Sequence, residues 1–218
     1  MLGSMTVRAA VVVALLAVLA PNLSACGTAS SPSPPAGVDE LVVPTPSPDP
    51  ADFVDRVDNP WFPLEPGSRR TYDVADPTGT HTLVVTVGAG PTVAGVPTTA
   101  RVSREPGSRV VDWYAQDDRG NVWWFGRAGE WAAGTDGAEA GLAMAATPRI
   151  GDGYRMGYAE GVLEDRATVE SVSDDRVVVV VRSALRRGAS TEETYQLGTG
   201  LTSEEAVTGG YRVVRLRG

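Results

Sequence analysis

The chain has 218 residues, 42% apolar and 6% aromatic, enough for one mid-sized domain and too few for a large multidomain enzyme. All 19 basic side chains are Arg and lysine is absent; against 27 acidic residues the net charge is -8, and no basic run exceeds a pair, which excludes the phosphate-neutralising stripe of nucleic-acid binding. One Cys and one His leave neither a disulfide framework nor a Cys/His zinc site, so no metal or cofactor is expected.

Arg8 is the sole charge before Asp39 and precedes the unbroken apolar run Ala9 to Ala20. At about 1.5 Å per residue such a run spans roughly 18 Å, well short of the roughly 30 Å needed to cross a bilayer, so it reads as the core of a cleaved secretory signal. The run is followed by Leu23-Ser24-Ala25-Cys26, which resembles the lipobox of bacterial lipoproteins. The resemblance implies that residues 1–25 are removed and that the Cys26 thiol carries a diacylglycerol at the new N-terminus. Two acyl chains at about 0.8 kcal/mol per buried CH2 suffice for stable anchoring without a span. Cleavage would remove Arg8 alone, taking the net charge from -8 to -9, so the folded part should be repelled by an anionic membrane surface. Residues 26–52 follow as a Ser-, Thr-, Ala- and Pro-rich stretch with prolines at 32, 34, 35, 44, 46, 48 and 50. Proline removes backbone donors and fixes φ, so this segment is expected to be a disordered, polyproline-like tether reaching at most about 80 Å.

Residues 53–218 show short β-prone runs punctuated by turn residues, the pattern of an all-β domain with few helices. Expected strands are Arg69 to Val74, Thr80 to Val87, Pro97 to Glu105, Arg109 to Gln116, Val122 to Arg127, Gly153 to Tyr158, Glu164 to Val172, Arg176 to Ser183, Glu192 to Leu197, Leu201 to Val207 and Tyr211 to Leu216. Tight connections such as Glu105-Pro106-Gly107-Ser108 favour antiparallel neighbours. The fold expected is therefore a single antiparallel meander sheet, shaped as a half-barrel or a sandwich. Gly88 to Gly95 lacks a following helix and reads as a hairpin loop rather than a phosphate loop. The five valines Val177 to Val181 predict a strand covered on both faces or lining a concave interior. The Gly- and Ala-rich segment Ala132 to Ala146 has too many glycines for a helix and is expected to be a long loop crossing the sheet as a lid. Trp61 and Phe62 are expected to plug one end of the domain.

The run from Asp112 to Gly126 predicts an aromatic hairpin about Asp118-Arg119-Gly120-Asn121. A four-residue loop opposes Gln116 to Trp123, Ala115 to Trp124, Tyr114 to Phe125, Trp113 to Gly126 and Asp112 to Arg127. Tyr114, Trp123 and Phe125 then share one face, and Trp113 and Trp124 share the other. Rings on both faces require two covers, or one cover and one pocket. Trp113, Tyr114, Trp123, Trp124, Phe125 and, further on, Trp131 are therefore the candidate ligand-binding residues.

Three blocks carry a resemblance: Asp58-Asn-Pro-Trp-Phe-Pro-Leu-Glu-Pro-Gly67, Asp112 to Gly126, and Trp131 through Gly134, Asp136, Gly137, Met144, Pro148, Gly151, Asp152 and Tyr154. They resemble an uncharacterised family of exported, often lipid-anchored bacterial proteins, from which the chain departs by carrying mostly alanine over Ala138 to Ala146. The resemblance implies an exported β domain and no catalytic residue. Catalytic patterns are correspondingly poor. His81 has no nucleophile elbow to serve and reads as a surface strand residue, while Asp117, Asp118 and Asn121 fall short of a calcium loop. The acidic pairs, Glu192-Glu193 and Glu204-Glu205 among them, read as solvated edges and turns. The function expected is that of a non-enzymatic cell-envelope lipoprotein binding a hydrophobic or amphipathic molecule in an aromatic-lined concave site. The alternative is a protein-interaction module with an envelope protein partner and no pocket.

Overall fold

The computed structural model describes residues 49–218. The signal segment, Cys26 and the tether up to residue 48 lie outside the described residues. Asp49 caps a single 3-10 turn, Pro50–Asp52, by accepting a hydrogen bond from the Ala51 amide at 2.9 Å.

The rest is one antiparallel sheet of fifteen strands. In chain order these are β1 (Phe53–Val54), β2 (Arg69–Asp76), β3 (Gly79–Val93), β4 (Val96–Glu105), β5 (Ser108–Asp117), β6 (Val122–Arg127), β7 (Trp131–Ala132) and β8 (Glu139–Met144). There follow β9 (Gly153–Arg155), β10 (Gly157–Tyr158), β11 (Asp165–Val172), β12 (Arg176–Ser183), β13 (Ser190–Gln196), β14 (Gly200–Thr208) and β15 (Val213–Leu216). Every expected strand is present, and the expected meander holds over β2 to β6 and over β11 to β15.

What joins the two meanders is β2 lying beside β15, with Tyr72 opposite Leu216. The sheet therefore ends at β9 and β10, which are two halves of the single run Gly153–Tyr158. Its first half pairs with β11 and its second with β8. The chain itself thus draws the two edges together through Met156, and the sheet nearly closes as a half-barrel, leaving little unpaired edge. Gly141 permits the approach: a Cβ there would lie 2.3 Å from both the Gly157 nitrogen and the Met156 carbonyl carbon.

That closure corrects the expected long Gly/Ala-rich loop. Within Ala132 to Ala146, residues Glu139–Met144 form β8, which pairs with β6 and β10 and is buried from Ala140 to Met144. The small side chains serve close packing rather than lid motion. Gly88 to Gly95 is also mostly strand: β3 runs on to Val93, and only Ala94 and Gly95, both at positive φ, form the turn into β4. On β12 the odd valines answer the sequence expectation, since Val177 and Val179 are buried in the main core and Val181 lines the interior cavity.

The aromatic hairpin forms, but not in the expected register. Gln116 faces Val122, Ala115 faces Trp123 and Tyr114 faces Trp124, whereas Trp113 still faces Gly126 and Asp112 still faces Arg127. The Asp117 amide donates to the Asn121 carbonyl at 3.0 Å, closing a three-residue loop with Gly120 at positive φ. A β-bulge at Phe125 then absorbs the extra residue. Tyr114 and Trp124 consequently share one face, and Trp123 and Phe125 share the other.

Candidate functional site

Strand alternation sends one set of side chains into the half-barrel, where they bound a cavity of about 200 Å3. The Asn59 to Leu64 segment closes one end. Phe62 sits 5.1 Å from the Tyr114 ring and 5.9 Å from the Tyr195 ring, and Trp61 is buried in the core, so the expected plug is present. A second hollow of about 240 Å3 adjoins the first through the shared residues Asp165, Val181 and Glu204, and it runs out past Arg186 and the exposed Tyr211.

Aromatic rings make one wall. Tyr114 and Trp124 are stacked with centroids 6.3 Å apart, Trp131 meets Trp124 edge-on at 5.1 Å, and the Arg127 guanidinium lies 5.1 Å over Trp124. Asp112 fixes that guanidinium by accepting from Arg127 Nε at 2.7 Å. Of the six candidate rings, Tyr114 and Trp124 therefore line the cavity and Trp131 backs them. Trp123 and Phe125 pack on the other face of the hairpin, 6.4 and 5.1 Å from Phe53. Half-buried Trp113 covers Gly126, where a Cβ would come within 2.8 Å of its ring. Cys26 lies outside the described residues.

The lining also includes residues that the sequence did not mark as candidate binding residues: Tyr72, Arg101, Glu193, Tyr195 and Glu204. Glu193 and Glu204 are direct cross-strand partners on β13 and β14. Burial first, and then the neighbouring Glu204, push the Glu193 carboxyl up to about 7, against the hydrogen bond from Tyr195 and the charge of Arg101. Tyr195 donates to Glu193 Oε2 at 2.5 Å. Burial raises the phenols of Tyr72, Tyr114 and Tyr195, which keeps all three neutral at physiological pH. The solvated reading of the acidic pairs is thus corrected for one member of each: alternation exposes Glu192 and Glu205 and turns Glu193 and Glu204 inward. That periodicity was the available signal, because two adjacent acids on a strand cannot both face water when one face is enclosed.

His81 differs from the expected surface residue. Its side chain retains 17% exposure and lies 3.1 Å from Glu105, in a cluster where Arg212 reaches Glu105 at 2.9 Å and Asp76 and Glu204 at 3.6 Å. Burial works against the Glu105 charge, but hydrogen bonds from Arg212 and His81 outweigh it and lower its pKa.

Residues of the Asp58 to Gly67 stretch and of the aromatic hairpin form a structural clasp. Asp117, 7% exposed, accepts from the Arg119 and Asn121 amides, the Asn121 side chain and the Trp123 indole at 2.8 to 3.0 Å. Its oxygens are occupied, and among the described residues no group of three or more His, Cys, Asp or Glu could hold a metal ion. Gln116 Oε1 accepts from the amides of Asp58 and Asn59, and Asn59 Nδ2 donates to the carbonyls of Gly120 and Ala145. These bonds tie the plug, the hairpin turn and the end of β8 into one unit. No protein-family model matches the chain, and neither the curated proteins nor the solved structures contain a match to it.

Proposed function

We propose that the protein is a cell-envelope lipoprotein, tethered through Cys26 on the extracytoplasmic face, whose half-barrel binds a small amphipathic molecule without chemically altering it. One observation carries the binding reading: the interior cavity joins a stacked Tyr114 and Trp124 to a charged wall of Arg101 and Glu193. A core built only for stability fills its interior with apolar side chains, because buried charge is costly unless something compensates it. Ligand sites are the usual place for a mostly preformed concavity with a few convergent polar groups. The volume, about 200 Å3, suits a single ring with a short substituent better than a two-chain lipid, since a cavity of about 150 Å3 admits benzene.

Native mass spectrometry of the protein extracted in mild detergent tests this reading. A co-purifying small molecule supports it. Protein that is empty, fails to respond in tryptophan fluorescence to small amphiphiles and instead captures a polypeptide would establish the interaction-module alternative. The anchor has its own test: Cys26→Ala should abolish metabolic fatty-acid labelling and release the protein from membranes, and persistent labelling would refute lipidation at this residue.

A further inference from the structure

Among the described residues, Arg101 is the one cavity-lining guanidinium whose side chain has no hydrogen-bond or ion-pair partner. Arg127 is held by Asp112, and Arg70 Nη1 donates to the Pro63 carbonyl at 3.4 Å. Among the described residues, the Arg101 side chain makes no hydrogen bond and no ion pair. Register makes this unexpected, because Arg101 on β4 stands directly opposite Asp112 on β5. Asp112 turns instead to Arg127 on its other side, leaving Arg101 extended into the cavity. An arginine is charged at every accessible pH and presents five donors. Lining the cavity without a hydrogen-bond partner among the described residues, it leaves those donors free to engage a ligand.

A second donor stands beside it. In the β4 and β5 register Tyr114 lies diagonally across from Arg101 on the same face and lines the same cavity, and the Tyr114 hydroxyl likewise has no hydrogen-bond partner among the described residues. Being neutral, that phenol can donate. Two unengaged donors on adjacent strands thus line the cavity that holds the stack formed by Tyr114 and Trp124.

Resting on the binding reading above, we infer that the ligand is a small aromatic monocarboxylate, its carboxylate held by Arg101 and the Tyr114 hydroxyl and its ring against Trp124. The fork of the guanidinium matches a planar carboxylate in two parallel hydrogen bonds. Charge selects against a dianion such as phosphate, since the lining carboxyls of Asp112, Asp165, Glu193 and Glu204 outnumber the guanidiniums of Arg70, Arg101 and Arg127, and Arg127 is already held by Asp112. One negative charge answers Arg101; a second would face these carboxylates.

The probe is 3-phenylpropionate, titrated into the purified full-length chain by isothermal calorimetry and compared with its neutral isostere 3-phenylpropionamide and with inorganic phosphate. The acid should bind at least about ten-fold tighter than the amide, consistent with a charge-assisted hydrogen bond. Arg101→Met should weaken binding of the acid by at least about ten-fold and remove its preference over the amide. The acid and amide comparison needs no variant, so it decides the matter even where Arg101→Met fails to fold. Equal binding of acid and amide to the unaltered chain overturns the Arg101 anchor and leaves the cavity reading intact. Tighter binding of phosphate than of the acid overturns the monocarboxylate assignment. Binding of none of the three overturns this inference, while a co-purified ligand of other chemistry would show the cavity reading to have survived it.

Discussion

Replacing Glu193 with Gln should stabilise the protein at alkaline pH and leave it unchanged in acid. In the folded chain the Glu193 carboxyl titrates at about 7, against 4.5 for the ordinary group, because it is buried beside Glu204. The folded state therefore binds the proton more tightly than the unfolded state. Its contribution to stability is fully present below about 4.5 and is lost as pH rises through about 7. At about 1.4 kcal/mol per pKa unit the full loss approaches about 3.5 kcal/mol, of which about 2.5 kcal/mol falls between pH 5 and pH 8. The side-chain amide of the Glu193→Gln variant has no proton to lose, and its carbonyl can still accept from Tyr195. Urea denaturation of both proteins at the two pH values reads the difference, with the other titrating groups largely common to both. The variant should match the parent within about 0.5 to 1 kcal/mol at pH 5 and exceed it by about 2.5 to 3.5 kcal/mol at pH 8. An advantage that does not change with pH, or a variant weaker than the parent at pH 8, would show that Glu193 is ionised in the folded state well below neutrality, and the account of the charged wall would fall.

Gly141→Ala should cost about 3 kcal/mol or more, since the new methyl would meet the Gly157 nitrogen at 2.3 Å and the Arg155 carbonyl oxygen at 2.5 Å, both backbone atoms. Chemical denaturation measures it, and a loss below about 0.5 kcal/mol would contradict closure of the sheet through β8 and β10. Asp117→Ala should cost about 3 kcal/mol by leaving several donors unpaired, among them the Trp123 indole. Near-ultraviolet circular dichroism should register the change at Trp123, whereas binding at the cavity, on the other face of the hairpin, should change less than about three-fold; selective loss of binding without loss of stability would move Asp117 from the clasp to the site.

Much of the architecture was legible in the sequence because it depends on local chemistry. β-branched runs interrupted by turn residues located the expected strands, and tight connections fixed their antiparallel sense. The identities of the large rings, and the pairing of Asp112 with Arg127, followed from reading the hairpin outward from its turn. Trp113 opposite Gly126 followed likewise, but the register nearer the turn did not, since a three-residue loop and a bulge at Phe125 cancel each other in length while moving Trp123 and Trp124 to opposite faces from those expected. Nor could local propensity show that the glycines and alanines of 132–146 make a buried strand. Their conformation is decided by the backbone of Gly157, which approaches Gly141 only once the sheet closes.

The composition and pattern of the chain determined that it would bury its apolar residues as strands, and they placed Tyr114 and Trp124 where rings had to be covered. Which side of each strand faced inward was decided only when β2 met β15 and the run Gly153–Tyr158 joined the remaining edges. Closure gave a two-sided pattern an inside. It placed Arg101 among three tyrosines and set Glu193 against Glu204, contacts between residues far apart in sequence whose energies depend on an enclosed, low-dielectric interior that no local stretch of the chain possesses.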